Sequence, residues 1–118
     1  MSGAESKHFD KPDETRAPDK TQIAVVRVGG NEVGRVVFQP GWKWSECIKP
    51  VVGTDSCQNE HVGYLQSGRM HVKHNDGTEL DISPGEAYHI APGHDAWVVG
   101  NEAAVGFEFK SADTYAKG

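Results

Sequence analysis

The sequence predicts an all-β protein, an antiparallel sandwich or barrel, and three observations carry that expectation. Turn dipeptides recur at 67–68, 76–77, 84–85, 92–93 and 100–101, so the chain reverses every eight or nine residues. Between them stand short runs rich in β-branched and aromatic residues, which suit a pleated, half-buried surface. No stretch keeps a 3.6-residue apolar period long enough for a major helix.

Taken in order, residues 1–20 form a charged segment with Lys7, Asp10, Lys11, Asp13, Glu14, Arg16, Asp19 and Lys20. Alone it buries too little apolar surface to offset its ordering entropy, so it reads as a flexible tail, with His8-Phe9 able to dock on a sheet. The strands then begin. Ile23, Val25, Val26 and Val28 run to the Gly29-Gly30-Asn31 turn, and residues 33–38 follow as far as Pro40-Gly41. Trp42 and Trp44 are read on one strand face. After a central stretch, residues 70–74 alternate apolar with polar and stop at Asn75-Asp76-Gly77, a strong hairpin signal. Short strands follow at 79–82, 87–91 and 97–99, and a last one at 105–109 puts Phe107 and Phe109 on a shared face. Residues 21–110 form the folded domain and 111–118 a C-terminal tail.

The totals exclude several classes. At 118 residues the chain is one domain by the usual range of about 100–200. A net charge of −5 with scattered Lys and Arg gives no basic stripe for a nucleic acid. No apolar run reaches membrane-spanning length, and the first twenty residues are too polar for a signal peptide, so a cytosolic protein is expected. Two cysteines, Cys47 and Cys57, are few for a disulfide scaffold; in a reducing compartment they are buried small residues, metal ligands or reactive thiols.

The chemistry concentrates in residues 53–70, GTDSCQNEHVGYLQSGRM. On a strand, Asp55, Cys57 and His61 share parity, which places a carboxylate, a thiol and an imidazole on one face. His94, after the Pro92-Gly93 turn, is the candidate to complete the set, with Asp95 beside it. Thiolate and imidazole suit zinc, whereas two imidazoles and a carboxylate suit iron-type centres. The plain alternatives are a buried His61 with Asp55 fixing its tautomer, and a 54–56 turn capping its own backbone. His71 and His74 are expected to face solvent, and His89 either way. Trp42 and Trp44 read as core or a dimer interface. Trp44, Tyr64 and Trp97 are the candidate walls of a small-molecule pocket. No nucleophile elbow supports a serine hydrolase, and Gly29-Gly30 precedes a strand rather than a phosphate-binding helix.

Residues 33–109 resemble the two-motif pattern of the cupin superfamily. In the first motif, counting back from Gly68, the glutamate position falls on His61 and the His-x-His positions on Asp55 and Cys57. In the second, Ala91-Pro92-Gly93 opens the motif and the histidine position falls on Ala96, two residues after His94. The phrases PGWKWS (40–45), GTDSC (53–57) and APGHDAW (91–97) are similar to those of small stand-alone bacterial cupins. The resemblance implies a jelly-roll barrel, a homodimer paired through sheet edges, and a substituted metal set of Cys57, His61 and His94 with Asp55 as a fourth ligand or a support. Three functional expectations follow. The first is a small-molecule-binding protein holding zinc, iron or nickel. The second is a metal-free binding or sensing module, and the third a purely structural dimer.

Overall fold

In the computed structural model, which describes residues 3–110, strand pairing begins at β1 (Glu14–Arg16). That strand lies inside the segment read from the sequence as a tail. It pairs antiparallel with β2 (Thr21–Val28), and Glu14 accepts hydrogen bonds from Arg16 on its own strand and from Arg27 across the ladder. Ahead of it, the Asp13 carboxylate accepts the Arg27 backbone N–H at 2.7 Å. The Phe9 ring sits 5.4 Å from that of Phe107, under the Arg35 guanidinium. Residues 111–118, read as a C-terminal tail, lie outside the described residues.

β2 turns at Gly29-Gly30 into β3 (Asn31–Phe38), and their full-length register makes this hairpin the backbone of the larger sheet. Two single-turn helices follow, α1 (Trp44–Cys47) and α2 (Lys49–Val52). They correct the expectation that Trp42 and Trp44 share a strand face. The cause is tertiary: the Asp95 carboxylate accepts both the Ser45 backbone N–H (3.1 Å) and its hydroxyl (2.9 Å), satisfying donors that open a helix. α2 stops at Gly53, whose left-handed φ of 78° lets its N–H return to the Lys49 carbonyl.

The remaining strands are β4 (His61–Ser67), β5 (Met70–His74), β6 (Glu79–Ile82), β7 (Ala87–Ile90), β8 (His94–Val98) and β9 (Ala104–Lys110). They assemble into a six-stranded sheet, β1-β2-β3-β9-β4-β7, and a three-stranded sheet, β6-β5-β8. The sheets face each other as a jelly-roll sandwich, and all pairings are antiparallel. The closed barrel expected from the sequence does not form. Among the described residues no ladder joins the edge strands β6 and β7, so the sheets share an interior without closing on each other. The β8 edge is instead covered by the helical connection, through backbone bridges at Lys43 and Cys57.

Inward-facing residues of both sheets fill the interior. Val25, Val36, Phe38, Leu65 and Met70 meet Trp42, Trp44 and Ile48 from the helical connection, all buried. The Phe38 and Trp42 rings stack at 3.9 Å. Both tryptophans are therefore core residues. No helix among the described residues is long and apolar enough to cross a membrane.

Candidate metal centre

Strand alternation decides which side chains enter the sandwich. On β4, His61, Gly63 and Leu65 face inward while Val62 and Tyr64 face out. On β8, His94, Ala96 and Val98 face inward. On β9 the inward set is Ala104, Gly106 and Glu108. Cys57 belongs to none of these strands. It is drawn to β8 by a backbone bridge in which its N–H donates to the His94 carbonyl (2.8 Å) and its carbonyl accepts the Gly93 N–H (2.6 Å). Residues 54–60 are not a strand, so the parity that grouped Asp55 with Cys57 does not apply. The Thr54 hydroxyl donates to the Ser56 carbonyl across a turn, and Asp55 points fully into solvent, its nearest cation being Lys49 at 3.7 Å.

Cys57, His61 and His94 do converge. Each is buried, and the group's candidate ligand atoms all lie within 4.8 Å of one another. Cys57 Sγ is 3.5 Å from His61 Nε2. The donor atoms of a tetrahedral zinc site lie roughly 3.3–3.8 Å apart, given metal–ligand distances of about 2.0–2.3 Å. The outer nitrogens of both rings are committed elsewhere. His61 Nδ1 donates to Glu108 Oε1 at 2.5 Å, and His94 Nδ1 donates to the Ala91 carbonyl at 2.9 Å. Each bond fixes a tautomer and leaves Nε2 as the ligating atom, the orienting arrangement that accompanies histidine ligands in metal sites.

The electrostatics of the metal-free cluster follow from the same contacts. Burial alone would push the Cys57 thiol up, but hydrogen bonds from His61 and His94 outweigh it and hold the thiol at about 6. Burial would lower His61, yet its bonds to Cys57 and Glu108 raise it to about 9. Without a metal, near neutral pH, the pair is a thiolate and an imidazolium, and the imidazolium faces Glu108 through Nδ1.

Sequence reasoning missed Glu108 and Tyr88. The Tyr88 hydroxyl donates to Glu108 Oε2 at 2.8 Å, and burial together with the Glu108 charge pushes its phenol far up, so it stays a donor. The available signal was the alternation of 104–109, in which Phe107 and Phe109 share one face and the glutamate takes the other. The aromatic pair attracts the reading of a core face. Phe109 is nonetheless 58% exposed, and the inward position belongs to the carboxylate. Gly63 completes the arrangement. A Cβ there would lie 2.6 Å from both the Phe107 carbonyl and the Tyr88 hydroxyl, and closer still to Glu108.

His61, His94, Glu108 and Tyr88 form the polar end of an otherwise apolar cavity of about 50 Å³. That is room for a few water-sized groups. Of the expected pocket walls, Trp44 lines it. Tyr64 and Trp97 do not: Tyr64 faces out on β4, 39% exposed, and Trp97 lies on the outer face of β8 between Lys43 and His71. Among the described residues no acceptor reaches the buried indole N–H groups of Trp42 and Trp44. The other histidines stand apart. His71 is held on the outer face of β5 by Asp81 and Glu79, and His89 is exposed beside Glu60. His74, expected in solvent, has the inward parity of Met70 and Val72 and donates to the Pro92 carbonyl. Cys47 is a buried thiol beside Asp19.

No protein-family model and no curated protein matches the sequence. Solved structures do match the fold. A structural-genomics protein of unknown function from Rhizobium leguminosarum bv. viciae is 18% identical, with a TM-score of 0.63 over 91% of this chain and 95% of that one. KdgF from Halomonas sp. is 19% identical, with a TM-score of 0.56 over 85% and 91%. The polyketide cyclase RemF from Streptomyces resistomycificus is 17% identical, with a TM-score of 0.59 over 88% and 75%.

Proposed function

We propose that this chain, whose fold is of the cupin type, holds a divalent transition metal on Cys57, His61 and His94 and binds a small molecule beside it. The convergence of three buried ligand atoms with both imidazoles pre-set on Nε2 carries the reading. Donor chemistry favours zinc first: one thiolate and two imidazoles match its borderline-soft preference, and iron or nickel accept the same set less readily. A metal held by these three residues would have room for a further ligand, and two of them, His61 and His94, also line the cavity. When bound, such a metal supplies Lewis acidity or an activated water there. Glu108 keeps His61 in its ligating tautomer and Tyr88 holds Glu108. The tryptophan-lined wall excludes bulk water and offers indole donors that lack acceptors.

A cytosolic setting suits the two free thiols, since a reducing compartment keeps Cys57 available. A homodimer is supported by Val62, Tyr64 and Phe109, exposed apolar side chains on the outer face of the larger sheet. Sedimentation of the untagged protein checks it: a single species at monomer mass across micromolar concentrations removes the dimer.

Elemental analysis of untagged protein tests the centre. Close to one zinc, iron or nickel per chain is expected, lost in Cys57→Ser with His61→Ala. Metal retained at full stoichiometry by that double variant would sink the assignment.

A further inference from the structure

Leu80 lies on β6 two residues before the buried Ile82 and directly opposite the buried Val72, so its side chain belongs to the inward face. It is nonetheless 44% exposed. A core-facing leucine left open means that the sandwich gapes along β6. The gap falls where the two sheets do not join, between the edge strands β6 and β7. A hollow of about 170 Å³ occupies it.

The hollow and the inner cavity share two walls, Val72 and Ile90. Beyond them lie His61 and His94. The rim side chains are already engaged. His74 donates to the Pro92 carbonyl and accepts the Asp76 N–H, and His89 pairs with Glu60. Neither space has a lysine or arginine among its lining residues, whereas Asp76 stands at the outer one and Glu108 at the inner. An anionic ligand entering here would pass the Asp76 carboxylate and meet no lysine or arginine on its way to the centre, which is unfavourable.

We propose that the hollow between β6 and β7 is the entrance and outer binding pocket of the centre, and that it admits an uncharged molecule with a small apolar body past Val72 and Ile90. This rests on the proposed function for the chemistry at the far end, but the location of the entrance does not depend on a metal. The apolar body lies against Leu80, Ile90 and Ala91, and movement of Ile90 on the edge strand β7, which pairs only with β4, opens the way inward. Such an edge is held by one ladder only and moves at less cost than a central strand.

The test uses the metal-free, full-length chain carrying Cys47→Ser, which leaves Cys57 as its one thiol. Modification of Cys57 is timed with neutral methyl methanethiosulfonate and with its anionic sulfonatoethyl counterpart, each rate divided by that with free cysteine. The neutral reagent should win by about tenfold or more. Ile90→Ala should raise its rate several-fold, and Leu80→Trp, at a position exposed enough to tolerate it, should lower it several-fold. Val99→Trp, at the opposite end of the smaller sheet, should leave it unchanged. Equal normalised rates for the two reagents would overturn the proposal. So would rates insensitive to both Ile90→Ala and Leu80→Trp, or rates that follow each variant's global unfolding in urea. A chain that binds no metal but shows the expected rates would separate this inference from the metal assignment.

Discussion

His61 uses both ring nitrogens, Nδ1 toward Glu108 and Nε2 toward Cys57, and this double commitment sets what the centre does as pH changes. Between about 6 and 9 the metal-free site holds a Cys57 thiolate and a His61 imidazolium. A metal needs His61 neutral, so binding must expel its proton. Calorimetry in buffers of different ionisation enthalpy should therefore return about one proton per zinc near neutral pH. Below about 6 the thiol contributes a second proton, and above about 9 the release should fade. A release constant across that range would contradict the thiolate–imidazolium pair. Glu108→Gln keeps the shape but weakens the acceptor for His61 Nδ1–H; zinc affinity should fall by about 10–100-fold with the fold intact. An unchanged dissociation constant in competition with a chelator would show that the carboxylate does not orient the ring. Cys57, His61 and His94 could be picked from the sequence by residue type, because few other side chains offer that chemistry. Asp55 could not be separated from them by type. Its exclusion comes from a turn that sends it into solvent, a matter of backbone path.

Two elements position the centre, and each can be disturbed alone. β4 passes so close to Glu108 and Tyr88 that only a glycine fits at 63. Gly63→Ala should destabilise by about 1–3 kcal/mol, as overpacking does, and should loosen zinc more than its stability cost implies, because Glu108 must shift. Urea unfolding and zinc titration of the same variant check this; stability equal to the parent's would show that the strands yield freely. α1 owes its start to Asp95, so Asp95→Ala should cost about 0.5–2 kcal/mol, the worth of a helix-capping carboxylate. Thermal unfolding reads that loss. Strand parity was legible in the chain and was enough to place Tyr64 opposite His61 and Trp97 opposite His94. Reading aromatic size ahead of parity is what put them in the pocket. β8 begins at His94, ahead of the expected 97–99, because its ladder with β5 runs down to the His74–His94 pair, and a local window cannot see a partner 20 positions away.

At the scale of the molecule, the N-terminal segment is part of the architecture. Deleting residues 1–16 removes β1, the Asp13–Arg27 bond and the Phe9–Phe107 contact, and uncovers Phe107. The aromatic and cation–π contacts alone are worth roughly 1–2.5 kcal/mol, so a drop of several degrees in melting temperature is expected. An unchanged melting curve would return the segment to the status of a tail. The chain by itself determined the all-β class and the antiparallel turns and offered Cys57, His61 and His94 as candidate ligands, because alternation, turn residues and ligand atoms are local properties of sequence. Tertiary structure alone decided that the sheets stop short of a barrel, that a glutamate near the C-terminus supports a histidine 47 residues earlier, and that an inward leucine stays open. These depend on how two sheets settle across a shared core, and no short stretch of residues encodes that distance.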